Sequence, residues 1–305
     1  MVKPRPLQKG SRAALIAPSG PVSPGEPEQC SRVLEELGLV PVLYPSVHLR
    51  HGYLAGDDSA RAKDLMEAFW DPAIDGIFCI RGGYGASRIL PLLDFDRIRS
   101  CPKFFGGFSD ITALHICLNQ FCQLMTYHIP MPSTIVHKGL DPYTRRQILN
   151  CMAGLEEGAI ENPPDIPFLP LVSGQAEGEL TGGNLTLVAS SLGTPYEIDT
   201  RGKILFLEDV KEQPYQIDRM LVQLRNAGKF KDCAGILLGE WTDCDPANPE
   251  SSLPLGRIFQ DLLVPEGKPI LENLVCGHCM PSLCLPLGAQ VFVDAEKGRI
   301  SFPGK

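Results

Sequence analysis

The sequence lacks any block of consecutive basic residues, and acidic side chains outnumber basic ones. Lys and Arg total 28 against 36 Asp and Glu, which gives a net charge of −8 with histidine neutral. A protein that follows a nucleic-acid backbone normally carries a basic patch or stripe to bind the phosphates. The composition therefore argues against nucleic acid as a partner.

Long apolar segments are also missing. The first apolar run, residues 13–17, ends at Pro18 and is far shorter than the roughly 20 residues that cross a bilayer as a helix. The basic residues 1–6 are not followed by the apolar core of a secretory signal. Eleven cysteines, an odd number in a chain without such a signal, are typical of reduced thiols. These features predict a cytoplasmic protein with no membrane segment.

Short apolar strands alternate with helical patterns along the first half of the chain. Candidate strands cover residues 13–17, 40–44, 76–80 and 124–128. Between the second and third of these, Leu65, Met66 and Phe69 recur at helical spacing after the capping residues 57–59. The alternation predicts an α/β fold with a mostly parallel sheet and helices on both faces.

Proline is concentrated at one place, the segment 161–167 with the sequence Glu-Asn-Pro-Pro-Asp-Ile-Pro. A chain of 305 residues is long enough for about two domains. We therefore predict an N-terminal α/β domain over residues 1–160, a proline-rich linker over 161–175, and a C-terminal α/β domain over 176–305. The last domain is predicted to end in a β-hairpin around Lys297-Gly298.

One serine lies where a strand is predicted to give way to a helix. Apolar residues lead into Gly106-Gly107, Phe108, Ser109 and Asp110, and a helical pattern starts directly afterwards. Such a turn lifts a hydroxyl out of the sheet and directs the first helical N–H groups at a ligand. The sequence does not match the Gly-x-Ser-x-Gly elbow, so Ser109 is either a nucleophile or an ordinary helix cap.

A glycine-rich loop, Arg81-Gly82-Gly83-Tyr84-Gly85, follows another predicted strand. It therefore lies at the carboxyl edge of the sheet, where open α/β folds bind ligands. It is not the Gly-x-Gly-x-x-Gly fingerprint, and no Walker lysine follows, so nucleotide binding is poorly supported. The loop either donates a backbone N–H to an oxyanion, together with the N–H of Asp110, or is a tight turn.

A carboxylate and a histidine complete a possible catalytic set. Glu208 ends the apolar run of residues 204–207, and His278 lies in a loop beside Gly277. The order Ser109, Glu208, His278 is that of nucleophile, acid and base in the α/β-hydrolases. In this interpretation the histidine takes the serine proton, and Glu208 holds the imidazole tautomer.

The cysteines around His278 allow other interpretations. Cys276-Gly277-His278-Cys279 reads as a dithiol redox motif, and Cys284 could extend it to a zinc site. Pro281 and Pro286 follow where a dithiol motif normally opens a helix, and the spacing matches no standard zinc pairing. We treat the cysteines as small apolar residues and predict no metal and no cofactor.

Several stretches together resemble one family over nearly the whole chain. They are residues 14–19, 52–57, 81–85, 107–114, 205–209 and 217–221, with Gly277-His278 and residues 286–288. This set resembles the LD-carboxypeptidase family of serine peptidases, the S66 type, which includes muramoyltetrapeptide carboxypeptidases and microcin C self-immunity proteins.

The resemblance implies a triad of Ser109, His278 and Glu208, with oxyanion donors at the Asp110 N–H and Gly83. It also implies a flavodoxin-like N-terminal domain, a smaller C-terminal α/β domain and a homodimer. The implied reaction is hydrolysis of the LD amide bond that joins diaminopimelate or lysine to terminal D-alanine in peptidoglycan tetrapeptides. The implied partner is thus a muropeptide or peptide substrate, used in cell-wall recycling.

Substrate-binding residues are predicted near these groups. Arg81 or Arg88 could bind the terminal carboxylate, and Asn184 and Glu240 could line the cleft from the second domain. The first rival is a self-immunity-type hydrolase of aminoacyl or peptidyl nucleotides, which would need an aromatic platform such as Trp241. Rivals from other classes are a non-catalytic ligand-binding α/β protein and a dithiol oxidoreductase.

Overall fold

The computed structural model describes residues 1–154 and 158–303. The chain divides into two compact units, each of which is built from more than one segment. The first unit comprises Met1–Glu156 and Cys284–Gly288, and the second comprises Glu157–Leu283 and Ala289–Lys305.

The described residues form fourteen strands and eleven α-helices. The strands are β1 (Arg12–Ile16), β2 (Val40–Leu43), β3 (Gly76–Cys79), β4 (Phe104–Gly107), β5 (Thr126–His128), β6 (Ala159–Ile160), β7 (Leu169–Val172), β8 (Gln175–Asn184), β9 (Ile204–Val210), β10 (Gly235–Thr242), β11 (Ile270–Glu272), β12 (Leu285–Leu287), β13 (Gln290–Asp294) and β14 (Arg299–Ser301). The helices are α1 (Glu26–Glu36), α2 (Asp58–Trp70), α3 (Ala86–Ile89), α4 (Phe95–Arg99), α5 (Thr112–Cys122), α6 (Pro132–Lys138), α7 (Pro142–Ala153), α8 (Leu185–Ser190), α9 (Pro214–Asn226), α10 (Lys229–Asp232) and α11 (Leu255–Leu262). None of these helices has the length and hydropathy needed to cross a bilayer.

The sheet of the first unit has six strands in the order β12-β5-β4-β3-β1-β2. Strands β1 to β5 pair in parallel, and β12 is antiparallel to β5. The order 2-1-3-4-5 is that of the flavodoxin-like doubly wound fold, which reverses direction between β1 and β3. The predicted α/β class and the flavodoxin-like sheet are therefore confirmed.

The central strands of this sheet form because their residues are apolar on both faces. All four residues of β3 and all four of β4 are buried, as expected for parallel strands covered by helices. The Phe104 ring stacks on Phe78 and on Tyr127, with ring centroids 5.1 and 4.5 Å apart. The packed strands hold their carboxyl ends, and the loops that follow them, in fixed positions.

The second unit contains an eight-stranded mixed sheet in the order β6-β14-β13-β8-β9-β10-β11-β7. Strands β8, β9, β10 and β11 pair in parallel, and the outer pairs are antiparallel. Strands β13 and β14 form the predicted terminal hairpin. Six of the seven residues of β9 are buried, so a carboxylate near its end is held in an apolar environment.

This division of the chain differs from the predicted domain bounds in three places. Strand β6, predicted to lie in the N-terminal domain, belongs to the second unit. Strand β7 lies inside the segment predicted as a linker, 161–175, and it pairs with β11 at the edge of the second sheet. The segment Cys284–Gly288, predicted to lie in the C-terminal domain, contributes β12 to the first unit. Strand β7 contains Pro170, which is tolerated there because β7 is the edge strand of its sheet.

Candidate active site

Ser109 lies at a sharp turn between β4 and α5. Phe108 is extended, Ser109 has φ of 64°, and Ser109–Ile111 forms a single 3₁₀ turn that continues into α5. A positive φ is unfavourable for a residue with a side chain and is common at functional turns. The turn gives the half-buried serine the strand-to-helix position that the sequence predicts.

The backbone of the glycine loop lies directly against this serine. A Cβ atom added to Gly82 would lie 3.0 Å from the Ser109 Cβ and 3.1 Å from its Oγ. The Gly82 carbonyl accepts a hydrogen bond from the Gly20 N–H at 3.0 Å, and Gly83 has φ of 109°. Glycine is needed here because any side chain would occupy the space beside the hydroxyl.

The Asp110 carboxylate connects the three loops that follow β1, β3 and β4. Its Oδ2 accepts hydrogen bonds from the Ser19 hydroxyl at 2.6 Å and from the Ala86 N–H at 2.8 Å. The side chain is buried, and burial raises the pKa of this carboxyl. Sequence reasoning assigned only a backbone role to Asp110, so this use of the carboxylate was missed.

Arg61 is a second buried residue that holds the same loops, and no sequence argument had selected it. It is fully buried and donates hydrogen bonds to the carbonyls of Pro18 and Gly85, while it forms an ion pair with Asp58. Arg61 falls four residues before Leu65, on the buried face of α2. A charged residue in line with an apolar stripe is the signal that could have found it.

The two arginines predicted as substrate ligands have different surroundings. The guanidinium of Arg88 contacts both carboxylate oxygens of Asp58 at 2.8 to 3.1 Å. Arg81 donates one hydrogen bond to the Pro21 carbonyl at 2.8 Å, and it lines a pocket together with Gly83. Arg88 is therefore already paired with an acid, whereas Arg81 faces a cavity beside the glycine loop.

In the second unit, Glu208 and His278 form the predicted pair. Glu208 is fully buried on β9, and its Oε2 lies 2.8 Å from the His278 Nδ1. A Cβ atom added to Gly277, which has φ of 130°, would lie 2.6 Å from the same Oε2. The glycine therefore permits the close approach of the loop to the carboxylate.

This contact decides which imidazole nitrogen is available for chemistry. When the Nδ1–H donates to Glu208, Nε2 is the nitrogen that can accept a proton. Burial raises the pKa of Glu208, and the charge of His278 and its hydrogen bond only partly offset that effect. A carboxylate in this position can fix the tautomer of a general base.

The other two residues predicted in the second unit, Asn184 and Glu240, form hydrogen bonds within it. The Asn184 amide donates to Asp209 at 2.8 Å, and its oxygen caps α8 at the Leu187 N–H. Asn184 is also the register partner of Glu208 between β8 and β9. The backbone N–H of Glu240, on β10, donates to the Cys276 carbonyl at 2.9 Å.

The residues behind the rival interpretations include Cys276, Cys279 and Trp241, which lie in the second unit. Cys276 is fully buried, and burial raises the pKa of the Cys279 thiol to about 12, which is unfavourable for thiolate chemistry. The Trp241 ring packs against Phe259 with centroids 5.2 Å apart. Within residues 1–154 and 158–303, no cluster of three or more His, Cys, Asp or Glu could hold a metal ion.

The first unit is doubly wound and has a serine at a left-handed turn, and the second unit has a carboxylate–histidine pair. Both features are typical of a serine-type hydrolase. Family models agree with this class: the LD-carboxypeptidase N-terminal domain matches residues 13–129, and the LD-carboxypeptidase C-terminal domain matches residues 177–293. The chain is 45% identical over 302 residues to a probable murein peptide carboxypeptidase of Bacillus subtilis, covering 98% of this chain and 93% of the relative. The chain belongs to the LD-carboxypeptidase family.

Two further similarities cover most of the chain. A muramoyltetrapeptide carboxypeptidase from Oxalobacter formigenes has a crystal structure that matches with a TM-score of 0.84 and 28% identity, covering 96% of this chain and 100% of that one. The microcin C7 self-immunity protein MccF of Escherichia coli is 27% identical, over 82% of this chain and 79% of the relative. The family and the carboxypeptidase class predicted from the sequence are therefore confirmed, and a peptide substrate follows from that class.

Proposed function

We propose that this enzyme hydrolyses the LD amide bond that releases terminal D-alanine from peptidoglycan-derived tetrapeptides. The proposal rests most directly on the 2.8 Å contact between His278 Nδ1 and Glu208 Oε2, in a family whose relatives include murein peptide carboxypeptidases. Ser109 is the nucleophile, His278 the general base, and Glu208 the acid that orients the imidazole.

The reaction proceeds in two steps. The Ser109 oxygen attacks the scissile carbonyl while His278 Nε2 takes the hydroxyl proton, and the N–H groups of Asp110 and Gly83 stabilise the oxyanion. The imidazolium then gives its proton to the leaving amine of D-alanine. Water, deprotonated by the same nitrogen, hydrolyses the acyl-enzyme and regenerates the serine.

Four residues are assigned to substrate binding, directly or through a neighbouring acid. Arg81 binds a substrate carboxylate, because its side chain borders the pocket beside Gly83. Glu240 contacts the substrate, while Arg88 and Asn184 act indirectly, through their contacts with Asp58 and Asp209. We also propose that the enzyme is a homodimer, as the family resemblance implies, and that it is cytoplasmic and needs no metal or cofactor.

The test is direct. Purified enzyme is incubated with L-Ala-γ-D-Glu-meso-diaminopimelate-D-Ala, and loss of D-alanine is followed by mass spectrometry. We expect Ser109→Ala to lower kcat/KM by about 10³-fold or more, whereas Ser59→Ala, at an exposed serine of α2, leaves it unchanged. Equal activity of the Ser109→Ala variant and the parent would refute the nucleophile.

A second candidate is a self-immunity-type hydrolase of aminoacyl or peptidyl nucleotides. It is favoured by the similarity to the microcin C7 self-immunity protein. The same assay with an aminoacyl-nucleotide substrate separates the two: we expect a higher kcat/KM for the tetrapeptide. A non-catalytic ligand-binding protein would show no Ser109-dependent turnover of either substrate.

A further inference from the structure

A pocket of about 560 Å³ lies in the first unit beside the glycine loop. Its wall includes Pro21, which follows β1, and Arg81 and Gly83, which follow β3. Those two strands flank the point at which the sheet order reverses, where doubly wound folds bind ligands. The volume lies within the range of roughly 300–1,000 Å³ that small-molecule sites occupy.

Two arginines of this pocket carry charge that no acid of the described chain neutralises. Arg81 Nη1 donates to the Pro21 carbonyl at 2.8 Å, and Arg50 Nη2 donates to the Val22 carbonyl at 3.1 Å. These carbonyls belong to adjacent residues, so both guanidinium groups are held on the same short stretch. Within residues 1–154 and 158–303, neither arginine has a carboxylate at ion-pair distance, in contrast to Arg61 and Arg88, which pair with Asp58.

Two tyrosines supply an exposed aromatic surface on the same pocket. The side chains of Tyr53 and Tyr84 are 67% and 51% exposed, and their ring centroids lie 5.7 Å apart. Exposed tyrosines that pack on each other beside unpaired arginines are typical of binding sites, since aromatic rings and guanidinium groups contribute strongly to recognition.

We propose that Arg50 and Arg81 bind a carboxylate of the peptide substrate, and that Tyr53 and Tyr84 pack against the carbon atoms next to it. Each guanidinium has donors left after its single backbone contact and can form charge-assisted hydrogen bonds to a carboxylate. The pocket includes Gly83, so a peptide anchored here passes the glycine loop. The inference rests on the proposed peptidase function for the identity of the ligand.

The experiment measures binding without turnover. In a Ser109→Ala background, the dissociation constant of L-Ala-γ-D-Glu-L-Lys-D-Ala is measured by calorimetry for Arg50→Gln, Arg81→Gln and Arg97→Gln. We expect the first two changes to weaken binding about 10-fold to 100-fold, the loss expected for hydrogen bonds to a charged group. Arg97 lies in α4, before the amino end of β4, and its guanidinium stacks on the Trp70 ring. The Arg97→Gln change therefore alters the net charge equally and leaves binding unaltered. Thermal melting of each variant, and KM values in the Ser109 enzyme, exclude misfolding as the cause.

Amidated peptides identify the carboxylate. One peptide is amidated at its C-terminus, and the other at the α-carboxylate of glutamate. The Arg81→Gln change should lose its effect only with the peptide in which the carboxylate that Arg81 binds has become an amide. If Arg50→Gln and Arg81→Gln bind every peptide as tightly as Arg97→Gln does, or if no binding is detected, the subsite is refuted. Hydrolysis without arginine dependence refutes the subsite alone, whereas arginine-dependent binding without hydrolysis by the Ser109 enzyme refutes the proposed function alone.

Discussion

The surroundings of Ser109 and those of His278 are built in different ways. Around Ser109, two buried charged residues, Asp110 and Arg61, each contact backbone groups of neighbouring loops. Near His278, the fully buried carboxylate of Glu208 contacts the imidazole Nδ1 at 2.8 Å. The first arrangement rests on hydrogen bonds to several loops, and the second includes a contact between two side chains, Glu208 and His278.

We therefore expect substitutions near Ser109 to affect mainly folding and substitutions at Glu208 to affect mainly activity. Loss of one bond near Ser109 leaves other contacts that hold the loops, so the cost falls mainly on stability. Loss of the Glu208 carboxylate removes the acid that contacts His278 Nδ1, so the cost falls mainly on catalysis.

The largest effect is expected for Glu208→Gln. The amide keeps the shape of the side chain but can no longer stabilise an imidazolium, so we expect kcat to fall by about 10³- to 10⁴-fold. The measurement is steady-state hydrolysis of the tetrapeptide. Glu177→Gln, the same change at an exposed position of β8, should retain full activity, and a Glu208→Gln loss below tenfold would contradict the assigned role.

A large effect on stability is expected for Asp110→Ala. This change leaves the Ser19 hydroxyl and the Ala86 N–H without their acceptor, and each buried unpaired group costs about 1–3 kcal/mol. The free energy of unfolding, measured in urea, should fall by about 2–6 kcal/mol. Asp110→Asn keeps an acceptor oxygen and should lose much less; equal losses in the two variants would show that the hydrogen bonds contribute little.

An intermediate effect is expected from acid, through a histidine of the first unit. Burial lowers the pKa of His115 to about 4, and its Nε2 donates to the Gly107 carbonyl at 2.9 Å. Because the folded pKa lies below the usual value of about 6.5, stability is full above pH 6.5 and falls as the pH drops towards 4, by on the order of 3 kcal/mol.

The comparison of two pH profiles isolates this group. The free energy of unfolding of the parent and of His115→Leu is measured between pH 4 and pH 7.5, and the parent should have the steeper slope between 4 and 6.5. Parallel profiles would mean that His115 is protonated equally in the folded and unfolded states.

The smallest effect is expected for Cys279→Ser. The raised pKa keeps this half-buried thiol protonated at neutral pH, and the proposed mechanism does not use it. Hydrolysis of the tetrapeptide should change less than about 2-fold, within the scatter of neutral substitutions. A loss comparable to that of Glu208→Gln would revive the dithiol interpretation and remove the contrast between the two regions.

Local patterns predicted much of this molecule. Buried strands separated by helical periodicity gave the parallel sheet, and the strand-to-helix switch at Ser109 gave the turn. The pairing of Glu208 with His278 was inferred from chain order together with a family resemblance, and the 2.8 Å contact agrees with it. These features are visible because each depends on residues close in sequence or on a recurring motif.

Other features depend on partners that are remote in sequence. The Arg61 side chain is satisfied by the carbonyls of Pro18 and Gly85, which no local pattern connects. The strand Leu169–Val172 lies inside the linker that the proline density of residues 161–167 predicts, and its pairing with Ile270–Glu272 is set by the sheet as a whole. Sequence patterns report burial and turn chemistry, and they report long-range pairing only weakly.

The return of Leu285–Leu287 to the first sheet has a consequence for dissecting the protein. Any fragment that stops before residue 284 lacks the strand that covers the edge of Thr126–His128. Its unpaired N–H and C=O groups would form a template for intermolecular pairing. The first unit can therefore be produced alone only if residues 284–288 are grafted onto it, and the gene cannot be divided at a single point.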